Sequence, residues 1–171
     1  MRHSFLRLLA LWLSLASPCG QAATSAEQTK GAVIAVIDFG YSDTSGEPRD
    51  QRKEHEAQLA AFMNGLRRDL GRAGSFRVVE PTCRPKPCSP SSTPLPNLLA
   101  AAQEAGADIL LFGGVHKVST LVQWAEVKAI DTKTGRIVLD KLFTFRGDTD
   151  EAWRRAEAFI SDELAVVAPP P

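Results

Sequence analysis

The sequence predicts an α/β domain. Its sheet is mixed parallel and antiparallel, flanked by helices in two or three layers, with a C-terminal β-hairpin followed by a helix. Three observations predict it. Ala32–Ile37 and Asp108–Val115 are almost wholly apolar runs, the pattern of strands buried on both faces of a sheet. Between them, Leu59, Met63, Leu66 and Leu70 recur at helical spacing. After them, two long strand-like segments flank Asp131-Thr132-Lys133-Thr134-Gly135, with Asp at the entry and Gly at the exit of a turn.

Taken in order, residues 23–30 are a polar lead and Ala32–Ile37 is the first strand, ending at Asp38-Phe39-Gly40. Tyr41–Pro48 is rich in Ser, Asp, Gly and Thr and reads as a loop. A helix runs from about Asp50 to Arg72, with Gly71 and Gly74 stopping it. Phe76–Glu80 reads as a second strand, and Pro81–Pro96 as a proline- and serine-rich loop. A short helix from Leu95 or Asn97 to Ala105 stops at Gly106, and the strand Asp108–Val115 follows. Leu121–Ile130 and Arg136–Phe145 form the hairpin. Asp148 reads as the cap of a last helix, with Glu151 completing a capping box and Trp153, Ala156, Ile160, Leu164 and Val167 as the apolar stripe. The folded domain is thus expected over residues 31–167, with 168–171 a frayed Pro-rich tail. The first half suits right-handed crossovers between parallel strands, and the hairpin adds antiparallel ones.

Residues 1–22 read as a secretory leader. Arg2, His3 and Arg7 precede the apolar run Leu6–Ala16, which is too short to span a bilayer and is broken by Pro18 and Gly20. Cleavage is expected near Ala22 or Ala23, which places the protein in the periplasm. Cys19 follows Pro18, a poor fit to a lipidation site. The whole chain has 20 basic and 20 acidic residues, and loss of Arg2 and Arg7 leaves a net charge of −2. No Lys/Arg cluster points to nucleic acid or to an anionic membrane, and no stable membrane insertion is expected. The roughly 150 residues left after cleavage suffice for one domain with its own core.

Cleavage also leaves two cysteines, Cys83 and Cys88, and an even pair in an oxidising compartment points to a disulfide. A ring this short contributes about 2 kcal/mol on the chain-entropy argument, so it staples a loop without holding up the fold. Zinc, with His55 and His116 as further ligands, would call for tighter Cys spacing and a closed four-ligand set. A redox pair would need Cys-x-x-Cys at a helix start. The bond is expected to be structural, and no metal or cofactor is expected.

No nucleotide-binding, serine-hydrolase or zinc-protease motif is present. Glu54-His55-Glu56 lacks a second His four residues on, and reads as a solvated helix face. The candidate site comes from topology. If the first and third long strands are parallel, their carboxyl ends bring Asp38, Tyr41 and Ser42 toward Gly113, Gly114, His116 and Lys117, where open α/β sheets bind ligands. An Asp beside a His could set its tautomer for acid–base work. The simpler reading has Asp38 capping a loop and His116 making ordinary strand-end hydrogen bonds. Trp124 reads as core beneath a helix. If that face is open, Gln123, Trp124 and the hairpin edge become a docking surface.

Ala32-Val33-Ile34-Ala35-Val36-Ile37-Asp38-Phe39, the following helix and Phe76-Arg77-Val78-Val79-Glu80 resemble the α/β domain of the curli-secretion lipoprotein CsgG. The N-terminal domain of TolB and the lipoprotein activators of penicillin-binding proteins share that plan. The resemblance continues through Gly106–Gly114 and Asp131–Ile137 and covers about residues 31–165. More closely, Gly113–Trp124 and Phe145-Arg146-Gly147-Asp148 resemble a family of secreted bacterial proteins of unknown function, implied to accompany periplasmic quinoprotein dehydrogenase systems. The chain departs from the lipoproteins in lacking a good lipobox, and it has no added transmembrane hairpins, so pore formation does not carry over. The resemblance implies a fold used to contact other envelope proteins and brings no catalytic residues with it. The expected function is therefore a non-enzymatic periplasmic accessory module with an envelope or periplasmic protein as partner. The alternative is a small-ligand binder or minor enzyme using the strand-end crevice.

Overall fold

The computed structural model describes residues 31–166 apart from 73, 75, 85 and 86. The leader read at 1–22, the tail at 168–171 and Val167 lie outside the described residues. The elements are β1 (Ala32–Val36), β2 (Gly40–Asp43), α1 (Arg52–Arg72), β3 (Phe76–Val79), α2 (Leu95–Glu104), β4 (Ile109–Lys117), β5 (Val122–Asp131), β6 (Ile137–Arg146) and α3 (Asp150–Ala165). They build a six-stranded sheet in the order β3-β1-β4-β5-β6, with β2 also paired to β4. β1, β2 and β3 join β4 in a parallel half, and β5 and β6 add the antiparallel half. The architecture is the mixed α/β sheet that the apolar runs and hairpin predict.

Alternate residues of each strand serve opposite faces. Ile34, Val36, Leu111, Val115, Ala125, Val127 and Phe143 face α1 and α3 and close over Phe62, Leu66, Leu70, Trp153 and Ile160. Ala35, Ile37 and Leu110 face the other way, against Leu98 and Ala102 of α2 and against Cys83. The described domain is three-layered over its parallel half. In its antiparallel half only the α1/α3 side is covered by helix, which leaves Trp124 and Leu142 exposed on the other. Position 124 therefore does not lie under a helix, because α2 is too short to reach β5 and β6.

The strand predicted to end before a loop at Tyr41 instead continues after an irregularity. Ile34 and Val36 pair with Ile109 and Leu111, whereas Gly40 pairs with Gly114, so three residues (Ile37–Phe39) oppose two (Phe112 and Gly113). This extra residue is a β-bulge. Ile37 still donates to the Leu111 carbonyl at 2.9 Å, but Asp38 N–H turns away to the Cys88 carbonyl at 3.2 Å. Gly113 makes room for the bulge: a Cβ there would lie 2.1 Å from the Glu126 carbonyl and 3.1 Å from the Phe39 ring.

The hairpin turn is built as its sequence suggests. Gly135 has φ of 69°. The Asp131 carboxylate accepts from the N–H groups of Lys133 and Thr134, at 2.9 and 2.7 Å. At α3 the cap is Thr149 and not Asp148: its hydroxyl accepts from Ala152 N–H at 3.3 Å. Asp148 is occupied elsewhere.

Candidate functional site

Strand alternation divides the residues expected in one crevice. Gly114 and His116 sit on the open face of the sheet, Tyr41 and Lys117 on the helix-covered face, and Asp38 apart from both at the bulge. Gly113 is taken up by the close approach of Phe39.

On the open face, Gly40, Ser42, Gly114, His116, Trp124 and Glu126 line a shallow hollow of about 350 Å³. His116 lies between two hydroxyls, Ser42 Oγ at 2.6 Å from Nδ1 and Thr44 Oγ1 at 3.0 Å from Nε2. Its ring packs on Trp124, with centroids 5.2 Å apart. In the neutral imidazole one ring nitrogen donates and the other accepts, so the two hydroxyls fix the ring's orientation between them. The hollow thus presents an aromatic wall, an oriented imidazole and the Ser42 hydroxyl, the components of polar and stacking recognition.

Directly behind it, Lys117 points the other way and is wholly buried. Its ammonium donates to Asp148 Oδ2 at 2.5 Å, Gln51 Oε1 at 2.8 Å and Glu47 Oε2 at 3.2 Å. Asp148 also contacts His55 Nε2 at 2.9 Å and accepts from Gln123 Nε2 at 3.2 Å and Trp153 Nε1 at 3.4 Å. Tyr41 stacks on His55, centroids 4.8 Å apart. Burial alone would lower the Lys117 pKa, but the Asp148 and Glu47 carboxylates outweigh it and hold the group above its ordinary value. Burial would likewise raise Asp148, and the bonds from Lys117 and His55 turn the shift downward. Tyr41 is pushed far up by burial and by the charges of Asp43, Asp148 and Glu47. The cluster is a hub that ties together α1, the loop after β2, β4, β5 and the start of α3, while Tyr41 Oη, Glu47 Oε1 and Gln123 Oε1 are buried in it without a hydrogen-bond partner among the described residues. Among the described residues no group of three His, Cys, Asp or Glu is arranged to hold one.

Three members of this hub are not evident from sequence. His55, read as part of a solvated face, is buried because it falls on the same side of α1 as Gln58, Phe62 and Leu66. Asp148 reads as a helix cap. Gln123, expected beside Trp124 on a docking surface, is buried on the opposite face, its amide donating to the Gly147 carbonyl at 2.8 Å. The 55, 58, 62, 66 spacing was the available signal for His55.

Asp38 Oδ1 accepts from Arg67 Nη2 at 2.5 Å beside a hollow of about 230 Å³ lined by Glu80, Pro81, Cys83 and Cys88. The Cys83–Cys88 disulfide is formed, and its loop seats on the bulge through the Asp38–Cys88 backbone bond.

Fold and site define an α/β domain whose mixed sheet is layered on one half and bare on one face of the other. The chain belongs to the family described as Protein of unknown function (DUF2380), whose model matches residues 32–164. No curated protein matches it. Among solved structures it is similar to hypothetical protein CT253 from Chlamydia trachomatis, with TM-score 0.57, 11% identity, and coverage of 80% of this chain and 98% of that one. It is also similar to the PelC dodecamer from Paraburkholderia phytofirmans, with TM-score 0.52, 16% identity, and coverage of 83% and 91%. TolB from Acinetobacter baumannii matches with TM-score 0.48, 16% identity and 82% of this chain, which spans 29% of the TolB chain. At these identities the likeness is one of fold.

Proposed function

We propose that the protein is a periplasmic accessory module, non-enzymatic, that engages another envelope protein through the open face of its sheet. The observation that carries this reading is the bare half of that face, where Trp124 is 39% exposed and Leu142 55%. Large apolar groups beside an oriented polar cluster suit a surface that a partner covers. Export rests on the leader read at 1–22, with cleavage near Ala22 or Ala23, and the quinoprotein dehydrogenase setting rests on the family resemblance. PelC, similar in fold, is described as a dodecamer, which agrees with a fold used for contact between proteins. Among the described residues no helix is long and apolar enough to cross a membrane.

One observation favours a second reading, a small-ligand-binding protein or minor enzyme: Ser42 Oγ lies against His116 Nδ1 in the hollow. Asp38 takes no part in it, since its carboxylate is committed to Arg67. The test is recovery of the tagged protein from its native envelope in three forms: unaltered, Trp124→Ala and His116→Ala. A co-purifying protein that is lost with Trp124→Ala at unchanged thermal stability supports the module. No partner at all, with a small molecule co-purifying with the unaltered protein and lost with His116→Ala, supports the second reading.

A further inference from the structure

The sheet ends at β6, a ten-residue edge strand with no neighbour on its outer side among the described residues. Gly147 N–H donates to the Leu121 carbonyl at 3.2 Å, and the β5–β6 register pairs Gln123 with Phe145, Ala125 with Phe143 and Val127 with Lys141. From Leu139 onward, beyond the register shift near Ile137, odd-numbered residues of β6 therefore aim their N–H and C=O groups at β5, and Asp140, Leu142, Thr144 and Arg146 aim theirs outward. A row of outward-facing donors and acceptors is a template for another strand.

We propose that β6 takes the β6 of a second copy of this chain, antiparallel, about a two-fold axis through Phe143. The charges select this register. A two-fold normal to the sheet pairs residues of the same face, so the centre of the pairing must fall on a residue. Centring on Asp140 or on Lys141 sets like charges directly opposite each other. Centring on Leu142 places Asp140 against Thr144 and Arg146 against Val138. Centring on Phe143 sets Asp140 opposite Arg146 of the second copy, twice over, with Leu142 opposite Thr144. Arg146 has no ion pair among the described residues, and Asp140 is 4.0 Å from its one cation, Lys128. Lys141, the residue that would ordinarily guard such an edge, is drawn back to Glu163 of α3 and lies over the Phe143 ring at 5.5 Å. Phe159 of α3 is 58% exposed and meets Phe143 edge-on, with centroids 6.1 Å apart, so the same pairing covers it.

The experiment is sedimentation analysis of the exported chain over a range of concentrations, and it is read without any envelope partner. A monomer–dimer equilibrium is expected. Asp140→Arg and Arg146→Asp each weaken it by about tenfold, and combining them restores it. Leu142→Pro, which removes an outward N–H and no bond to β5, abolishes dimers while the circular dichroism spectrum is kept. A protein monomeric at every concentration overturns the proposal. So does a dimer indifferent to both charge reversals, or a charge-swapped double variant that stays monomeric. If Leu142→Pro fails to fold, the charge swap decides alone.

Discussion

Burying an ammonium group costs several kcal/mol unless its partners follow it inward, and Lys117 takes Asp148, Gln51 and Glu47 with it. Lys117→Met leaves Asp148 buried without its cation, and a loss of about 3–5 kcal/mol is expected in urea unfolding. Adding Asp148→Leu should cost much less than the single changes summed, since the two groups are one unit. The depressed Asp148 contributes stability that is complete above the ordinary carboxylate range and lost as pH falls through its folded value. Lys117, raised, contributes stability that disappears only as pH climbs past the ordinary lysine range. Glu157 has the opposite sign from Asp148. Burial raises it, with the Ser161 hydroxyl opposing and Asp69 adding to the rise. In the α1–α3 interface its carboxylate packs directly on Gly65, where a Cβ would lie 2.6 Å from Glu157 Oε2 and push it aside. Its contribution is full at acid pH and is lost as pH rises through the raised value. The gain in urea midpoint from Glu157→Gln should therefore be larger at about pH 8 than at about pH 4. None of these pairings is legible in the sequence, because His55 and Asp148 meet across 93 positions with no periodicity to connect them.

Among the elements, the strands and helices with strong apolar periodicity lie where the pattern puts them, within two residues at their ends. β2 is the exception. Gly40-Tyr41-Ser42-Asp43 has loop composition, and it becomes a strand only because the bulge re-registers the chain against Gly114–Lys117 of β4. Such tertiary override is the ordinary limit of propensity. The cap of α3 falls one residue later than the pattern puts it, for a related reason: Asp148 and Thr149 are both good caps, and the buried hub claims the acid. Ala152 rather than Glu151 therefore stands at the third helical position, and the capping box is not formed. The disulfide was legible from the cysteine count. Replacing Cys83 and Cys88 by Ser should lower stability by about 2 kcal/mol in thermal or urea melts, with the far-UV spectrum unchanged. A greater loss would mean that the loop supports the bulge as well as itself.

Over the whole molecule, cover is asymmetric. Helices shield both faces of β1 and the first half of β4, and one face of β5 and β6. The sequence foretold helices packed on the sheet. It did not foretell which half is bare, because the reach of α2 depends on its ten residues being laid over β1 and β4. Hydrogen exchange should report this gradient. Amides of β1 and of Leu110–Leu111 are expected to exchange last, at the global unfolding rate. The outward amides of Leu142 and Thr144 should exchange early in dilute protein and slow as concentration rises. Uniform protection across the sheet would contradict this picture.

The hub around Asp148 also has a consequence in time. The chain is synthesised from its N-terminus, so His55 and Lys117 are made long before the acid that joins them. Until residue 148 is present, the Lys117 ammonium at the end of β4 has Gln51 and Glu47 as partners but lacks its nearest carboxylate, so burying it there costs more than in the finished hub. The short segment from Asp148 onward acts as a latch on what precedes it. A chain truncated before Asp148 is therefore expected to leave this end of the domain less firmly closed than the whole chain does.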